Sequence, residues 1–234
     1  MSWSLITSTA LGASGGGDIT TSAINTSGAD LIVIGVSVAT AGGPASATVS
    51  DSYGNTWSVA KSAPHFNDPT TFTSKLYYCQ SPGVGSGHTF SSVGAGFGSI
   101  CVVAWSGSAT SPLDVTSQNA ASWGPDFDID DVTPTVDNTL CLTHVFDNRL
   151  APPTITESYV VDVYTLTSAG NNNGGAIARK IQTTATTTGP VWTPDGVSTC
   201  SFAAFKMGAG GGGGAALRPK AYKLNYTVKR ASHW

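Results

Sequence analysis

Apolar positions along this chain come in short β-branched or aromatic runs, each closed off by Gly, Pro, Asn or Ser, and that punctuation predicts strands. The clearest runs are Leu31 to Val38, Ser74 to Gln80, Ser99 to Trp105, Thr139 to Phe146, Tyr159 to Thr167 and Ser198 to Phe205. Between them lie turn signals: Ala41-Gly42-Gly43-Pro44, Tyr53-Gly54-Asn55, Pro82-Gly83, and Asn171-Asn172-Asn173-Gly174-Gly175. The order of elements repeats. Leu31-Ile32-Val33-Ile34 corresponds to Leu140-Cys141-Leu142-Thr143, Asp51-Ser52-Tyr53 to Glu157-Ser158-Tyr159, and Ile100 to Trp105 to Thr199 to Phe205. The offset drifts from about 109 to about 100, as changes of loop length in a duplicated β unit produce. The two units could form the two sheets of one sandwich or two small sandwiches; with no obvious linker between the halves, the first is the expectation.

Composition sharpens this. The chain has 234 residues of which only 11% are charged, against 28 Gly, 28 Ser and 30 Thr. It holds one Glu, Glu157, so the side chains that dress a solvated helix face are nearly absent. The expected fold is therefore all-β: an antiparallel, jelly-roll-like, pseudo-duplicated sandwich over residues 1–207. A Gly-rich linker follows at 208–216, then an extended basic arm at 217–234.

The arm differs in kind from the body. It carries Arg218, Lys220, Lys223, Lys229 and Arg230 and no acid, whereas the body holds all 14 acidic residues of the chain. Tyr222, Leu224, Tyr226 and Val228 alternate with Lys223, Asn225, Thr227 and Lys229, the period-two pattern of a strand with one apolar face. A lone strand must add to a sheet, and a glycine tether lets that sheet belong to a neighbour. Tyr222, Lys223, Leu224, Tyr226, Val228 and Lys229 are thus the expected partner-docking residues. Apolar alternation is not what phosphate contacts require, so nucleic acid is not the expected partner.

Catalytic chemistry is sparse. Gly12-Ala13-Ser14-Gly15-Gly16 has the spacing of a nucleophile elbow but lacks the strand-to-helix setting that motif needs. Among His65, His88, His144 and His233 none has a partner at ligand spacing, and His144, in line with Leu140, Leu142 and Phe146, reads as a hydrogen-bonded core-edge residue. Asp126, Asp128 and Asp130 would share one strand face and form the one weak calcium candidate, against the plainer reading of a charged, pairing-resistant edge. Trp123 and Trp192 lie beside turn residues and are the candidate platforms for stacking a sugar. Cys79, Cys101, Cys141 and Cys200 sit in apolar runs and read as buried thiols. No enzyme activity and no cofactor are expected. The absence of Lys or Arg before Lys61 and of an 18-residue apolar run argues for a protein made in a cytoplasm, with no membrane partner.

Asp51-Ser52-Tyr53-Gly54-Asn55-Thr56-Trp57, Leu76-Tyr77-Tyr78-Cys79, Gly87-His88-Thr89-Phe90-Ser91, Val103-Ala104-Trp105-Ser106-Gly107 and Pro112-Leu113-Asp114, with the later run Ala203-Ala204-Phe205-Lys206, resemble a β-sandwich module of tailed-bacteriophage virion proteins and bacterial surface proteins. The likeness spans about residues 20 to 206. It implies a non-enzymatic virion building block, a capsid decoration or fibre-like subunit, with other virion proteins as partners and cyclic, threefold homo-oligomers. The alternative is a receptor- or glycan-binding module of a phage tail, whose partner is a host-surface glycan.

Overall fold

The computed structural model describes residues 1–13, 17–39, 47–64, 72–93, 97–119, 127–147, 152–166, 174–193 and 198–209. The arm and nearly all of the preceding linker therefore lie outside the described residues.

The described residues of the first half form eight strands: β1 (Ser4–Ala13), β2 (Ile19–Thr20), β3 (Leu31–Ala39), β4 (Thr48–Asp51), β5 (Ser58–Pro64), β6 (Phe72–Gln80), β7 (Phe90–Val93) and β8 (Phe97–Ser106). The second half forms β9 (Ser108–Asn119), β10 (Phe127–Asp128), β11 (Thr139–Asp147), β12 (Thr154–Ile155), β13 (Val160–Thr165), β14 (Gly174–Gln182), β15 (Val191–Thr193) and β16 (Ser198–Met207). In the first unit a five-stranded sheet runs β1-β8-β3-β6-β5 and a three-stranded sheet runs β2-β7-β4. The second unit repeats both orders strand for strand, as β9-β16-β11-β14-β13 and β10-β15-β12. Pairing is antiparallel throughout these sheets.

The fold is all-β and duplicated as expected, but each unit is a sandwich of its own instead of a single sheet. Ile32, Ile34, Val36 and Val38 of β3 pack with Ile19, Ala47 and Phe90 between the large and small sheets of unit one. Cys141, Val145, Ala178, Cys200 and Phe202 pack with Ile129 and Trp192 between those of unit two. A third core joins the two large sheets: Leu31, Val33, Leu76, Val103 and Trp105 meet Leu140, Leu142, Ile177, Ala203 and Phe205. Four layers result. Both large sheets are covered on both faces, which is why all nine residues of β11 are buried and why Leu31 to Val38 reads as a nearly continuous apolar run, broken by Ser37, instead of an alternating one. The small sheets escaped sequence reading because strands of two to four residues are too short to display a period.

The join between units is a single residue. Gly107 adopts φ +106 between the end of β8 and the start of β9, and a Cβ there would lie 2.7 Å from the carbonyl oxygen of Ser2. Only glycine tolerates both demands. Asp30 holds the join, its two carboxylate oxygens accepting the amides of Gly107 and Ser108, each at 3.0 Å.

The interface between units is apolar at one end and polar at the other. At the polar end, Gly35 at the centre of β3 faces His144 at the centre of β11, the position that corresponds to it in the repeat. A Cβ at position 35 would lie 2.3 Å from His144 Cδ2. His144 is fully buried; its Nδ1 is 2.8 Å from Ser74 Oγ and its Nε2 3.4 Å from Ser37 Oγ. Ser74 in turn bonds Ser201 Oγ at 2.9 Å. Burial holds the imidazole down to about 3, so it is neutral under ordinary conditions. Gly175, expected in a turn, lies instead in β14, where a Cβ would crowd Ser99, Ser37 and His144. Its lack of a side chain serves close packing.

Candidate functional site

Asp51 ends β4 in unit one and organises the turn that leads to β5. Its Oδ1 accepts the Tyr53 amide at 2.8 Å, the Asn55 amide at 3.4 Å and Asn55 Nδ2 at 3.2 Å, while Oδ2 accepts Trp57 Nε1 at 2.8 Å. Asn55 also reaches across to the turn after β6, donating from Nδ2 to Gly83 O at 3.1 Å and accepting from Gly83 N at 2.7 Å. A carboxylate that satisfies four donors this way makes a preorganised turn.

Behind it lies a hydroxyl–imidazole–carboxylate chain. Thr26 Oγ1 is 2.9 Å from His88 Nδ1, and His88 Nε2 is 3.2 Å from Asp51 Oδ1. The same three chemical types activate hydroxyl nucleophiles. Here, however, Thr26 and His88 are fully buried, and Thr26 Oγ1 already accepts Gly85 N at 3.2 Å. His88 is packed between Phe90, stacked at 4.1 Å, and Tyr53, edge-on at 4.6 Å. No substrate atom can reach the hydroxyl, and His88 Nε2, though 3.2 Å from Asp51, makes no hydrogen bond to it, so the group packs the turns against the sandwich and is not a catalytic relay. In unit two, Thr188 stands where His88 does: the isolated bridges Ile24–His88 and Val132–Thr188 correspond. Its hydroxyl donates to Glu157 at 2.8 Å.

The Asp51 turn is where the units differ most. Residues 52–57 separate Asp51 from β5, whereas only Ser158 and Tyr159 separate Glu157 from β13. The longer turn walls a cleft of about 400 Å³ lined by Asn55, Thr56, Ser58, Tyr78, Cys79, Gln80 and Ser81. No lining side chain is ionised at neutral pH; burial raises the Cys79 thiol, with Asp51 adding to the shift. Tyr78 is anchored against Phe205 with ring centroids 5.7 Å apart. In unit two the register places Arg179 and Lys180 where Tyr78 and Cys79 stand. Arg179 lies over Trp105 and pairs with the buried carboxylate of Asp162, and Lys180 lies over Tyr159 and 3.5 Å from Glu157.

The residues singled out in the sequence fall elsewhere. Trp192 is fully buried on β15, its Nε1 donating to Thr143 Oγ1 at 3.0 Å, so it is a core ring of unit two and offers no face to a ligand. A following turn suggested a loop position; burial between its own three-stranded sheet and the five-stranded sheet of unit two decides otherwise. Trp123 and Asp126 lie outside the described residues, as do Tyr222, Lys223, Leu224, Tyr226, Val228 and Lys229. Asp128 and Asp130 are exposed, and among the described residues no group of three or more His, Cys, Asp or Glu is placed to hold a metal. His144 lies on the face that its alignment with Leu140, Leu142 and Phe146 indicated, but in the interior instead of at an edge. The four cysteines are free and buried, and desolvation pushes Cys141 and Cys200 up to about 12. Sequence reading did not single out the cleft: Asp51 and Asn55 were visible as turn residues, yet a concavity formed by two turns distant in sequence has no local signature. Comparison with known proteins returns no match to a family model, a curated protein or a solved structure.

Proposed function

We propose that this protein is a non-enzymatic structural component of a bacteriophage virion, a capsid decoration or fibre-like subunit that docks through its C-terminal strand. The observation that carries this reading is the way the body ends. β16 closes beside the start of the chain, with Gly208 N bonded to Gly107 O at 2.9 Å. From that corner the sequence continues into glycines and then the cationic, alternating segment Leu217 to Trp234. A double sandwich whose sequence continues into glycines and an alternating apolar and basic segment suits strand addition to a neighbouring virion protein. The lysines of the arm complement an acidic surface, and the body itself is acidic, which favours a second copy as one such neighbour.

The test is a chain truncated after Ala209. We expect it to remain folded, with an unchanged unfolding midpoint, and to be missing from purified particles that incorporate the full chain. Normal incorporation of the truncated chain refutes the docking role.

A further inference from the structure

We infer that the cleft of unit one is a binding site for a neutral saccharide unit. It lies on the body, so the inference stands or falls independently of the arm. Four observations converge. First, the hydroxyls of Thr56, Ser58 and Ser81 and the amide of Gln80 are exposed at the cleft and make no hydrogen bond to any described residue. Among the described residues their capacity is unused, whereas Asn55 beside them is committed to holding the walls together. Second, the lining presents hydroxyl, amide, aromatic and thiol groups without a carboxylate, ammonium or guanidinium, which matches a ligand rich in hydroxyls and lacking charge. Third, the walls are rigid: Asp51 fixes one turn, Asn55 ties it to the other, and Phe205 fixes the Tyr78 ring. Preorganised walls lower the ordering cost of binding. Ser81 holds φ 50, a conformation unfavourable for a residue with a side chain, at the lip of the cleft.

The fourth observation is the internal control that duplication supplies. At the matching place in unit two the turn is shorter, Val160 replaces Ser58, Ile181 replaces Gln80, and Arg179 and Lys180 are engaged with Trp105 and Tyr159. The fold therefore does not require a polar cleft at this point. A volume of about 400 Å³ falls within the range of small-ligand sites, about 300–1,000 Å³.

The experiment is saturation-transfer NMR and calorimetry on the full chain with glucose, galactose, mannose and N-acetylglucosamine, and with N-acetylneuraminate as the anionic comparison. At least one neutral sugar should bind with a Kd on the order of 1 mM or tighter. Gln80→Ala and Ser58→Val, the latter copying unit two, should each weaken binding at least tenfold without moving the unfolding midpoint, and Ile181→Gln should leave it unchanged. An array of immobilised oligosaccharides distinguishes the sources: much tighter capture there than of free sugars assigns the site to a surface glycan, and equal affinity assigns it to free sugar. Absence of binding by all four neutral sugars, preference for N-acetylneuraminate, or binding unaffected by both cleft variants overturns the inference.

Discussion

Replacing Gly35 by alanine tests the packing between the two units. The new methyl would stand 2.3 Å from Cδ2, 2.6 Å from Cγ and 3.0 Å from Nε2 of His144. It cannot move away, because Gly35 is paired on both sides, to Leu76 of β6 and Cys101 of β8. Nor can the ring yield freely, being tied to Ser74 at 2.8 Å and wholly enclosed. Overpacking of a tight core costs about 1–3 kcal/mol, and contact this short with a bonded ring places Gly35→Ala near the top of that range. His144→Ala alone should cost about 3 kcal/mol through its cavity and lost hydrogen bonds. In the double variant the clash vanishes, and alanine is favoured over glycine in a strand by about 0.5–1 kcal/mol. The sign of the substitution at 35 should thus reverse: strongly destabilising beside histidine, neutral or mildly stabilising beside alanine. Guanidinium unfolding of the four proteins, followed by far-ultraviolet circular dichroism, reads the cycle. If Gly35→Ala costs the same in both backgrounds, the contact across the interface is not what forbids a side chain at 35.

Two further outcomes follow from buried groups. The folded His144 titrates near 3 and its unfolded counterpart near 6.5, so between these values the unfolded chain binds the extra proton. His144 should therefore remove stability by about 1.4 kcal/mol per pH unit as pH falls below about 6.5, levelling near pH 3; unfolding midpoints from pH 3 to 8 should show a slope that His144→Ala loses, and parallel curves would contradict the assignment. Asp51→Ala deprives the Tyr53 and Asn55 amides, Asn55 Nδ2 and Trp57 Nε1 of their acceptor and leaves His88 facing a void. A loss of about 2–4 kcal/mol is expected from unfolding midpoints, with saccharide binding abolished; an unchanged midpoint would show that the turn holds without its carboxylate.

What could be read from sequence and what could not divides along physical lines. Six long strands were legible because mainly apolar runs such as Leu31 to Val38 and Ser198 to Phe205 have few other uses, whereas β1, β5, β9 and β14, richer in Ser, Thr, Gly and charged residues, were not. The duplication was legible too, and part of its drifting offset is now explained, since Gly54 to Trp57 lengthen one turn in unit one alone. Burial beneath a second sheet was not legible for Trp192, because its two-residue partners Phe127–Asp128 and Thr154–Ile155 carry no pattern. Gly175 looked like a turn residue, since nothing local distinguishes a glycine that bends the chain from one that makes room for His144. The cleft depends on Asn55 meeting Gly83, a contact between positions 28 apart, which only the folded chain specifies.

A true homodimer is bound by its own axis: whatever residue lies there must confront an identical copy, so a glycine meets a glycine and an imidazole meets an imidazole. Joining two related sandwiches through Gly107 lifts that constraint. One half can recess at position 35 while the other protrudes at 144, and one half can keep an open polar cleft while the other puts Arg179 and Lys180 at the matching strand positions. The consequence is a stoichiometry: a molecule that looks twofold should take up one ligand per chain, not two.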